Sequence, residues 1–216
     1  MDELLNAGRK VKYRKGEILI RPSDVGGELF ILVNGLVHSY TIEESGEKNI
    51  HLIYGTGEIF PLAWIIKKKP LSVYYEALSD CEIVKVSADK AVELMHANAD
   101  TSFTMLTKVI EQFVAYKARV DNLEYKFARE RVAYRLLLLG KRFGKVNGDV
   151  ITLPRFSQEE IGSATNVSRE SVNREMSRFE KLGYIKYSPG ELQILSQDGL
   201  HKEIAPIDSP LFIDDM

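Results

Sequence analysis

The first hundred residues contain short runs of β-branched and aromatic residues, separated by glycine, asparagine, aspartate and proline. This pattern is typical of strands joined by turns. The runs are Glu17–Ile20, Glu28–Val33, Leu36–Thr41, Asn49–Tyr54, Val73–Leu78 and Glu82–Val86. Asn34-Gly35 lies between two of the runs and predicts a type I′ turn, which needs positive φ angles at both central residues. Strands of this length and spacing predict an antiparallel sandwich or barrel of the jelly-roll type.

Beyond Asp100 the apolar positions recur every three or four residues, which is the period of an α-helix. They form a heptad seam: Leu106, Val109, Phe113, Tyr116, Val120, Leu123 and Phe127. Such a seam predicts that two copies of the helix pack along their length. A helix buried against its own domain gives the same stripe, and this alternative remains open. A second helix is predicted from Glu124 to Arg142.

A short helix, a tight turn and a longer helix are predicted between residues 157 and 183. Ser157 and Glu160 have the spacing of a capping box, which opens the first helix. Asn166 suits the turn because asparagine tolerates left-handed backbone angles. Ser168 caps the second helix, which is predicted over Arg169–Leu182. This arrangement indicates a helix-turn-helix.

Four polar residues lie on or near one face at the start of the second helix: Arg169, Glu170, Asn173 and Arg174. Arginine can pair with guanine O6 and N7, and glutamate can accept a hydrogen bond from cytosine N4. A hairpin around Pro189-Gly190 follows this helix and predicts a wing. The pattern favours DNA binding. The alternative is an amphipathic helix pair in which these charges only form surface ion pairs.

The charge distribution agrees with a module that binds nucleic acid. The chain of 216 residues has a net charge of −2, and its composition excludes a disordered chain. Residues 101–196, however, contain 16 lysines and arginines against 11 aspartates and glutamates, whereas residues 1–100 contain 12 against 15 and residues 197–216 contain 1 against 5. A basic segment between acidic neighbours is expected where a protein approaches phosphates. A solvated basic surface is the alternative.

Several kinds of chemistry are excluded or unsupported by the sequence. Cys81 is the lone cysteine, which excludes an intrachain disulfide, a multi-cysteine zinc site and a four-cysteine iron–sulfur cluster. His38, His51 and His96 could ligate haem by residue type, but their spacing does not indicate a ligand set. We therefore predict neither a cofactor nor a metal site. No hydrolase, metalloprotease or P-loop motif indicates an enzyme. No apolar run is long enough for a membrane span or a signal peptide, so we expect a cytoplasmic protein without a membrane partner.

The chain resembles the Crp/Fnr family of bacterial transcription regulators. The resemblance is carried by Leu29-Phe30-Ile31-Leu32-Val33-Asn34-Gly35, by Gly57-Glu58-Ile59-Phe60, by the heptad helix and by Ser168-Arg169-Glu170-Ser171-Val172-Asn173-Arg174. The last stretch is similar to the recognition helix of the catabolite-activator branch, and this similarity implies the docking geometry of that branch.

The resemblance implies an α+β fold with three parts. These are an N-terminal β-roll (jelly roll) of the cyclic-nucleotide-binding type over residues 1–99, a long dimerisation helix over 100–123 and a C-terminal winged helix-turn-helix over 124–216. It also implies a homodimer that binds a palindrome resembling TGTGA…TCACA. The DNA-binding residues would be Ser168, Arg169, Glu170, Asn173 and Arg174. RNA polymerase would be a further partner if the protein activates transcription.

Three departures from the family pattern concern the effector. Members that bind cyclic nucleotides use a glutamate for the ribose and an Arg-Ser or Arg-Thr pair for the phosphate, but here the positions hold Leu62 and Leu71-Ser72. Leucine offers no charge to a buried phosphate. On the long helix, Tyr116 and Lys117 replace small hydroxyl residues. We therefore predict a roll that does not bind cyclic AMP, with five effector-pocket candidates: Leu62, Leu71, Ser72, Tyr116 and Lys117.

Three alternatives remain open at this point, and one expectation concerns how a signal is transmitted. The pocket either holds an unknown hydrophobic effector or is filled by its own side chains. Lys67, Lys68 and Lys69 either bind an anion or form a solvated loop. A signal in the roll is expected to act through a hinge near Asp121–Leu123. The alternative function is a small-molecule-binding module whose C-terminal domain mediates protein contacts.

Overall fold

The computed structural model describes residues 1–64 and 70–204 of the chain. The chain divides into two compact units, Met1–Phe113 and Val114–Met216. The three lysines at 67, 68 and 69 and the acidic segment 205–216 lie outside the described residues. Within the described part, no helix is long and apolar enough to cross a membrane.

The first unit is a β-roll with helices before and after it. Its elements are α1 (Asp2–Asn6), β1 (Arg9–Tyr13), β2 (Ile18–Ile20), β3 (Glu28–Asn34), β4 (Val37–Ile42), β5 (Lys48–Tyr54), β6 (Ile59–Phe60), β7 (Tyr74–Ala77), β8 (Cys81–Ser87), α2 (Ala88–Ala97) and the start of α3 (Ala99–Glu124). The described strands form two antiparallel sheets, in the orders β1-β8-β3-β6 and β2-β7-β4-β5. All six predicted runs contain strands, and the predicted jelly roll is confirmed.

One face of the first sheet packs against the helices. Its core cluster consists of Leu4, Leu29, Ile31, Ile59, Val84, Val86, Ala91 and Met105. Polar contacts fix the start of α3 beside this cluster, since Thr101 Oγ1 and Asn98 Nδ2 donate to the Glu3 carboxylate at 2.9 and 3.0 Å. Further along, Gln112 Nε2 donates to the Ile59 carbonyl at 2.6 Å. The first half of α3 is therefore part of the roll unit.

The predicted type I′ turn at Asn34-Gly35 is wrong. β3 and β4 belong to different sheets, so this dipeptide joins the two sheets and does not close a hairpin. Gly35 has a φ of 96°, but among the described non-glycine residues only Ser23 and Asn166 have positive φ. Glycine is needed at position 35 because a Cβ there would lie 2.5 Å from the Asp80 carbonyl oxygen.

The second unit is a winged helix. After the end of α3 come α4 (Ala128–Phe143), β9 (Lys145–Asn147), β10 (Val150–Pro154), α5 (Gln158–Thr165), α6 (Arg169–Lys181), β11 (Ile185–Ser188), β12 (Glu191–Ile194) and α7 (Gln197–Lys202). The four described strands form one antiparallel sheet in the order β11-β12-β10-β9. The predicted wing is the β11–β12 hairpin. Together the two units confirm the predicted α+β fold.

The boundary between the two long helices differs from the prediction. α3 ends at Glu124 and α4 begins at Ala128, so the predicted helix start at Glu124 is wrong. Phe127 precedes α4 as its N-cap and does not continue the heptad stripe of α3. The break has a local cause, because the Glu130 carboxylate accepts a hydrogen bond from the Phe127 N–H at 3.1 Å and so closes the first turn of a new helix.

Cys81, at the start of β8, lies in a setting that suppresses thiol chemistry. The residue is 5% exposed. Burial, with smaller effects from the Asp80 and Glu17 carboxylates, raises the pKa of the Cys81 thiol to about 11. Because the thiolate is the reactive form, this thiol is a poor redox sensor.

We expect Cys81 to react very slowly with a chromogenic disulfide reagent in the native protein. With a pKa of about 11, only about one thiol in ten thousand is ionised at pH 7. Absorbance of the released thiol measures the rate, and the same protein in denaturant is the control, since unfolding returns the pKa to its ordinary value. Equal rates in native and denatured protein would contradict this account of the thiol.

Candidate nucleic-acid interface

The first helix of the helix-turn-helix begins with the predicted capping box. The Glu160 N–H donates to Ser157 Oγ at 3.1 Å, and the Glu160 carboxylate accepts from the Ser157 N–H at 2.6 Å. These bonds satisfy two amide donors that have no partner within a helix. α5 therefore begins where the sequence predicts.

The turn between α5 and α6 is tight and depends on two backbone features. Asn166 adopts the left-handed conformation, with φ 51° and ψ 48°, as predicted. Gly162 allows the chain to fold back, since a Cβ at this position would lie 2.5 Å from the Val167 carbonyl oxygen. Ser168 then caps α6 by accepting a hydrogen bond from the Ser171 N–H. The turn thereby fixes the first residue of α6.

The second helix has one apolar and one polar face. Val172, Met176 and Phe179 are buried. The opposite side carries all five predicted DNA-binding residues, each of them exposed: Ser168, Arg169, Glu170, Asn173 and Arg174. The structure thus brings the five residues together on the accessible side of one helix end.

The charged groups on this face differ in how they are held. Within the described residues, the side chains of Arg169 and Glu170 make no hydrogen bond or ion pair, so both present free polar groups. Arg174 Nε lies 3.2 Å from Glu175 Oε1, while 67% of the Arg174 side chain stays exposed. Asn173 Oδ1 accepts from Gln158 Nε2 at 2.7 Å, which links α6 to the start of α5. The face therefore combines Arg169, whose side chain has no partner in the described chain, with Arg174 and Asn173, which neighbouring side chains orient.

A basic groove continues the polar face toward the start of α4. Phe127, Ala128 and Arg129 line one side, and Arg174, Glu175 and Arg178 line the other. The Arg129 guanidinium lies 4.6 Å from the centre of the Phe127 ring, which supports it. Arg129 lies 3.9 Å from Glu130 and Arg178 lies 2.7 Å from Glu203, so the exposed Arg174 is the groove cation most available to a phosphate.

The interior of the roll is filled by aromatic side chains from both sheets. Phe60 stacks on Tyr75, with ring centres 5.2 Å apart, and lies 4.8 Å from Tyr54. Phe30 meets Phe60 edge to face at 5.8 Å. All four residues are buried, with at most 6% of the surface of each exposed. Apolar rings therefore occupy space between the two sheets.

The five effector-pocket candidates lie in both units. Leu62 is partly buried against the core of the roll, Leu71 is partly buried and Ser72 is exposed. Tyr116 and Lys117 belong to the second unit, where Tyr116 is 43% exposed and Lys117 Nζ lies 2.8 Å from Asp121 Oδ2. Within the roll, the predicted nucleotide positions thus supply leucine and serine side chains and no cation.

The three histidines named by residue type lie in different local surroundings. His38 is buried, and desolvation lowers its pKa to about 4 although the neighbouring Glu76 opposes the shift. His51 Nε2 lies 3.0 Å from Thr41 Oγ1, and His96 occupies the last turn of α2. No group of three or more histidine, cysteine, aspartate or glutamate residues is placed to hold a metal ion within residues 1–64 and 70–204.

Comparison with known proteins agrees with this architecture. Residues 10–98 match the cyclic nucleotide-binding domain, and residues 130–203 match the Crp-like helix-turn-helix domain. The chain belongs to the Crp/Fnr family of transcriptional regulators. It is 25% identical to the transcriptional activator protein FnrA of Stutzerimonas stutzeri over 207 residues, which are 93% of this chain and 81% of that protein.

Two further relatives cover both units. The cAMP-activated global transcriptional regulator CRP of Pasteurella multocida is 26% identical over 175 residues, 78% of this chain and 81% of that protein. The structure of FixK2 from Bradyrhizobium japonicum superposes with a TM-score of 0.80 at 20% identity, covering 93% of this chain and 98% of that one. The latter likeness shows the shared fold. Family membership makes the helix-turn-helix of this regulator a DNA-binding domain.

One residue of this unit, Arg131, was not predicted from the sequence to support the helix-turn-helix. Arg131 of α4 donates through Nε to the Tyr125 carbonyl at 2.8 Å and through NH2 to the Leu123 carbonyl at 3.2 Å. Its NH1 lies 3.4 Å from the Thr165 carbonyl oxygen and 3.3 Å from that of Asn166. In this regulator, one side chain therefore contacts the end of α3 and the turn of the helix-turn-helix. Arginine on a helix is too common for this role to be found from sequence.

Proposed function

We propose that the protein is a homodimeric, sequence-specific DNA-binding regulator that reads a palindrome resembling TGTGA…TCACA. The observation that carries the proposal is the exposed cluster at the start of α6, where Arg169, Glu170 and Arg174 lie side by side. These residue types recognise guanine and cytosine edges in the major groove. Two copies of α6 would enter successive major grooves about 34–36 Å apart. The basic groove beside Arg129 would face the flanking phosphates.

Dimerisation is supported by the exposed face of α3. Among the described residues, thirteen large apolar side chains are exposed, and seven of them lie on this helix: Phe103, Leu106, Val109, Ile110, Phe113, Tyr116 and Val120. The predicted seam positions from Leu106 to Val120 all belong to this set, and Leu123 is partly exposed. An apolar stripe of this length marks an interaction surface. Pairing with a second α3 would remove it from water.

Replacing Phe113 by aspartate tests the dimer. Phe113 is 70% exposed in the single chain, so Phe113→Asp leaves the fold intact but places a charge in the proposed seam. We expect sedimentation equilibrium to show the mass of one chain for this variant and of two chains for the wild type.

The control for that measurement is Glu111→Gln. Glu111 is exposed on the same helix away from the stripe, and its contact is a surface ion pair with Lys108. This variant should sediment as the wild type does. A dimeric Phe113→Asp protein would contradict the assignment of the seam to α3.

We further propose that the roll does not bind cyclic AMP. Leu62 and Leu71 occupy the positions where nucleotide-binding members carry a glutamate and an arginine. A cyclic phosphate needs a cationic or amide partner to replace its lost hydration, and the leucine at position 71 provides no charge.

Titration calorimetry with cyclic AMP is expected to give no binding heat for the wild-type protein. Leu71→Arg restores the missing cation but should still bind none, because Leu62 still stands where nucleotide-binding members carry the glutamate for the ribose. Binding by Leu71→Arg alone would show that the missing charge by itself excludes the nucleotide. Binding by the wild type would contradict the proposal altogether.

The recognition residues are tested by substitution and by salt. Arg174→Ala should weaken binding to the palindrome by about 1–3 kcal/mol and relax discrimination at one base position, and Arg169→Ala should weaken it as well. Fluorescence anisotropy with palindromic and random duplexes measures both effects. The wild-type affinity should fall steeply as salt rises, because bound counterions are released on binding.

The outcome also separates the two candidate functions. If both arginine variants bound the palindrome as the wild type does, the assignment of base contacts to α6 would fail. A protein without salt-dependent affinity for any duplex would instead fit the alternative, in which the C-terminal unit mediates protein contacts.

A further inference from the structure

The contacts of Arg131 concern groups that helices cannot satisfy alone. The last four carbonyl groups of an α-helix have no partner within it and carry the negative end of the helix dipole. Leu123 and Tyr125 lie at the end of α3, and Thr165 and Asn166 lie at the end of α5. A guanidinium between two such ends satisfies acceptors of both helices with charge-assisted hydrogen bonds.

A second contact fixes the backbone of Arg131 itself. Asn122 is 1% exposed, and its Nδ2 donates to the Arg131 carbonyl at 2.9 Å. The end of α3 thus holds Arg131 through its main chain, while the Arg131 side chain holds the carbonyls of Leu123 and Tyr125. These reciprocal bonds tie the last turn of α3 to the first turn of α4.

The other end of the same guanidinium reaches the turn that fixes α6. Asn166 is the left-handed residue of that turn, and Ser168, two residues later, caps α6. A shift of the Thr165 and Asn166 carbonyls would therefore move the cap, and with it Arg169 and its neighbours. Among the described residues, the Arg131 side chain thus joins the end of α3 directly to the turn before the recognition helix.

We propose that Arg131 is a positioning residue for DNA recognition, which fastens the helix-turn-helix to the last turn of α3 so that both move as one body. The proposal rests on the DNA-reading function proposed above. It also changes the expected mechanism, because residues 122–131 become part of the DNA-binding body. The pivot for any signal then lies at or before Asp121, and not at Asn122 or Leu123.

Hydrogen exchange of the full-length protein without DNA tests the fastening directly. We expect Arg131→Gln to raise amide exchange at the end of α3 and in residues 163–168 together, because both ends lose the same donor. Lys141→Gln is the control, since Lys141 is an exposed residue of the same helix and the substitution removes the same charge. Unchanged exchange in either segment of Arg131→Gln would overturn the proposal.

DNA affinity tests the consequence for recognition. Arg131→Gln should bind the palindrome about tenfold more weakly but change its affinity for random duplex by less than about twofold, since nonspecific binding depends on phosphate contacts and not on the exact pose of α6. Arg131→Lys keeps the charge but lacks the planar fork, so an intermediate loss is expected. Arg131→Lys also provides the test of recognition if Arg131→Gln does not fold. Equal losses on both duplexes would indicate a merely structural role and overturn the proposal.

The two proposals fail in different ways. If the wild type did not prefer the palindrome over random duplex, the proposed function would fail, whereas the exchange experiment would still decide whether Arg131 fastens the two segments. If the wild type preferred the palindrome and Arg131→Gln kept the full preference, only the role of Arg131 would fail.

Discussion

The C-terminal unit depends on how the carbonyl groups at its helix ends are satisfied. Two helices, α3 and α5, end beside each other with acceptors that no residue of either helix can bind. Arginine meets this need because its guanidinium offers five donors in a fixed plane, whereas the ammonium group of lysine offers donors from a single atom. Arg131 places that plane between the two ends. These contacts of Arg131 help to position the turn and the cap on α6.

The division of α6 into two faces adds an electrostatic consequence. Its apolar face is buried through Val172, Met176 and Phe179, whereas Arg169, Glu170 and Arg174 on the polar face stay exposed. Glu175, whose side chain is 12% exposed, lies between Arg174 and Arg178 and orients both guanidinium groups without neutralising them. Because Arg178 also pairs with Glu203 at 2.7 Å, Arg174 keeps the freer charge of the two. Packing on one face thus determines which cations remain available on the other.

Local signals in the sequence predicted much of the fold, and the failures share a physical cause. The capping box at Ser157, the left-handed Asn166 and the cap at Ser168 each depend on residues within about one helical turn, so their spacing is sufficient to predict them. The choice of sheet partner is not local. β3 pairs with β8 and β6, not with the following β4, and the Asn34-Gly35 pattern contains no information on that choice.

The same reasoning applies to the elements and residues that were missed. β1 is rich in charged residues and lies at the edge of its sheet, and β6 has two residues, so neither gives a run of apolar alternation. The apolar spacing of α3 continues to Phe127, so periodicity alone does not reveal the break between α3 and α4, which depends on the hydrogen bond from the Phe127 N–H to the Glu130 carboxylate. The exposed cluster on α6 was predictable because capping fixes where that helix begins, whereas the support beneath it comes from a residue 35 positions away from Asn166.

The roll illustrates why a shared fold does not transfer a ligand. A β-sandwich must bury apolar surface between its sheets, and this can be achieved either around a bound nucleotide or by its own side chains. Here Phe60 from one sheet and Tyr54 and Tyr75 from the other supply that surface, and burial of such rings is favourable without any partner. A buried arginine at position 71 would need an anion to offset its desolvation, whereas Leu71 needs none. The aromatic interior therefore needs no ligand to be stable, and Leu71 is compatible with the proposed absence of cyclic AMP binding.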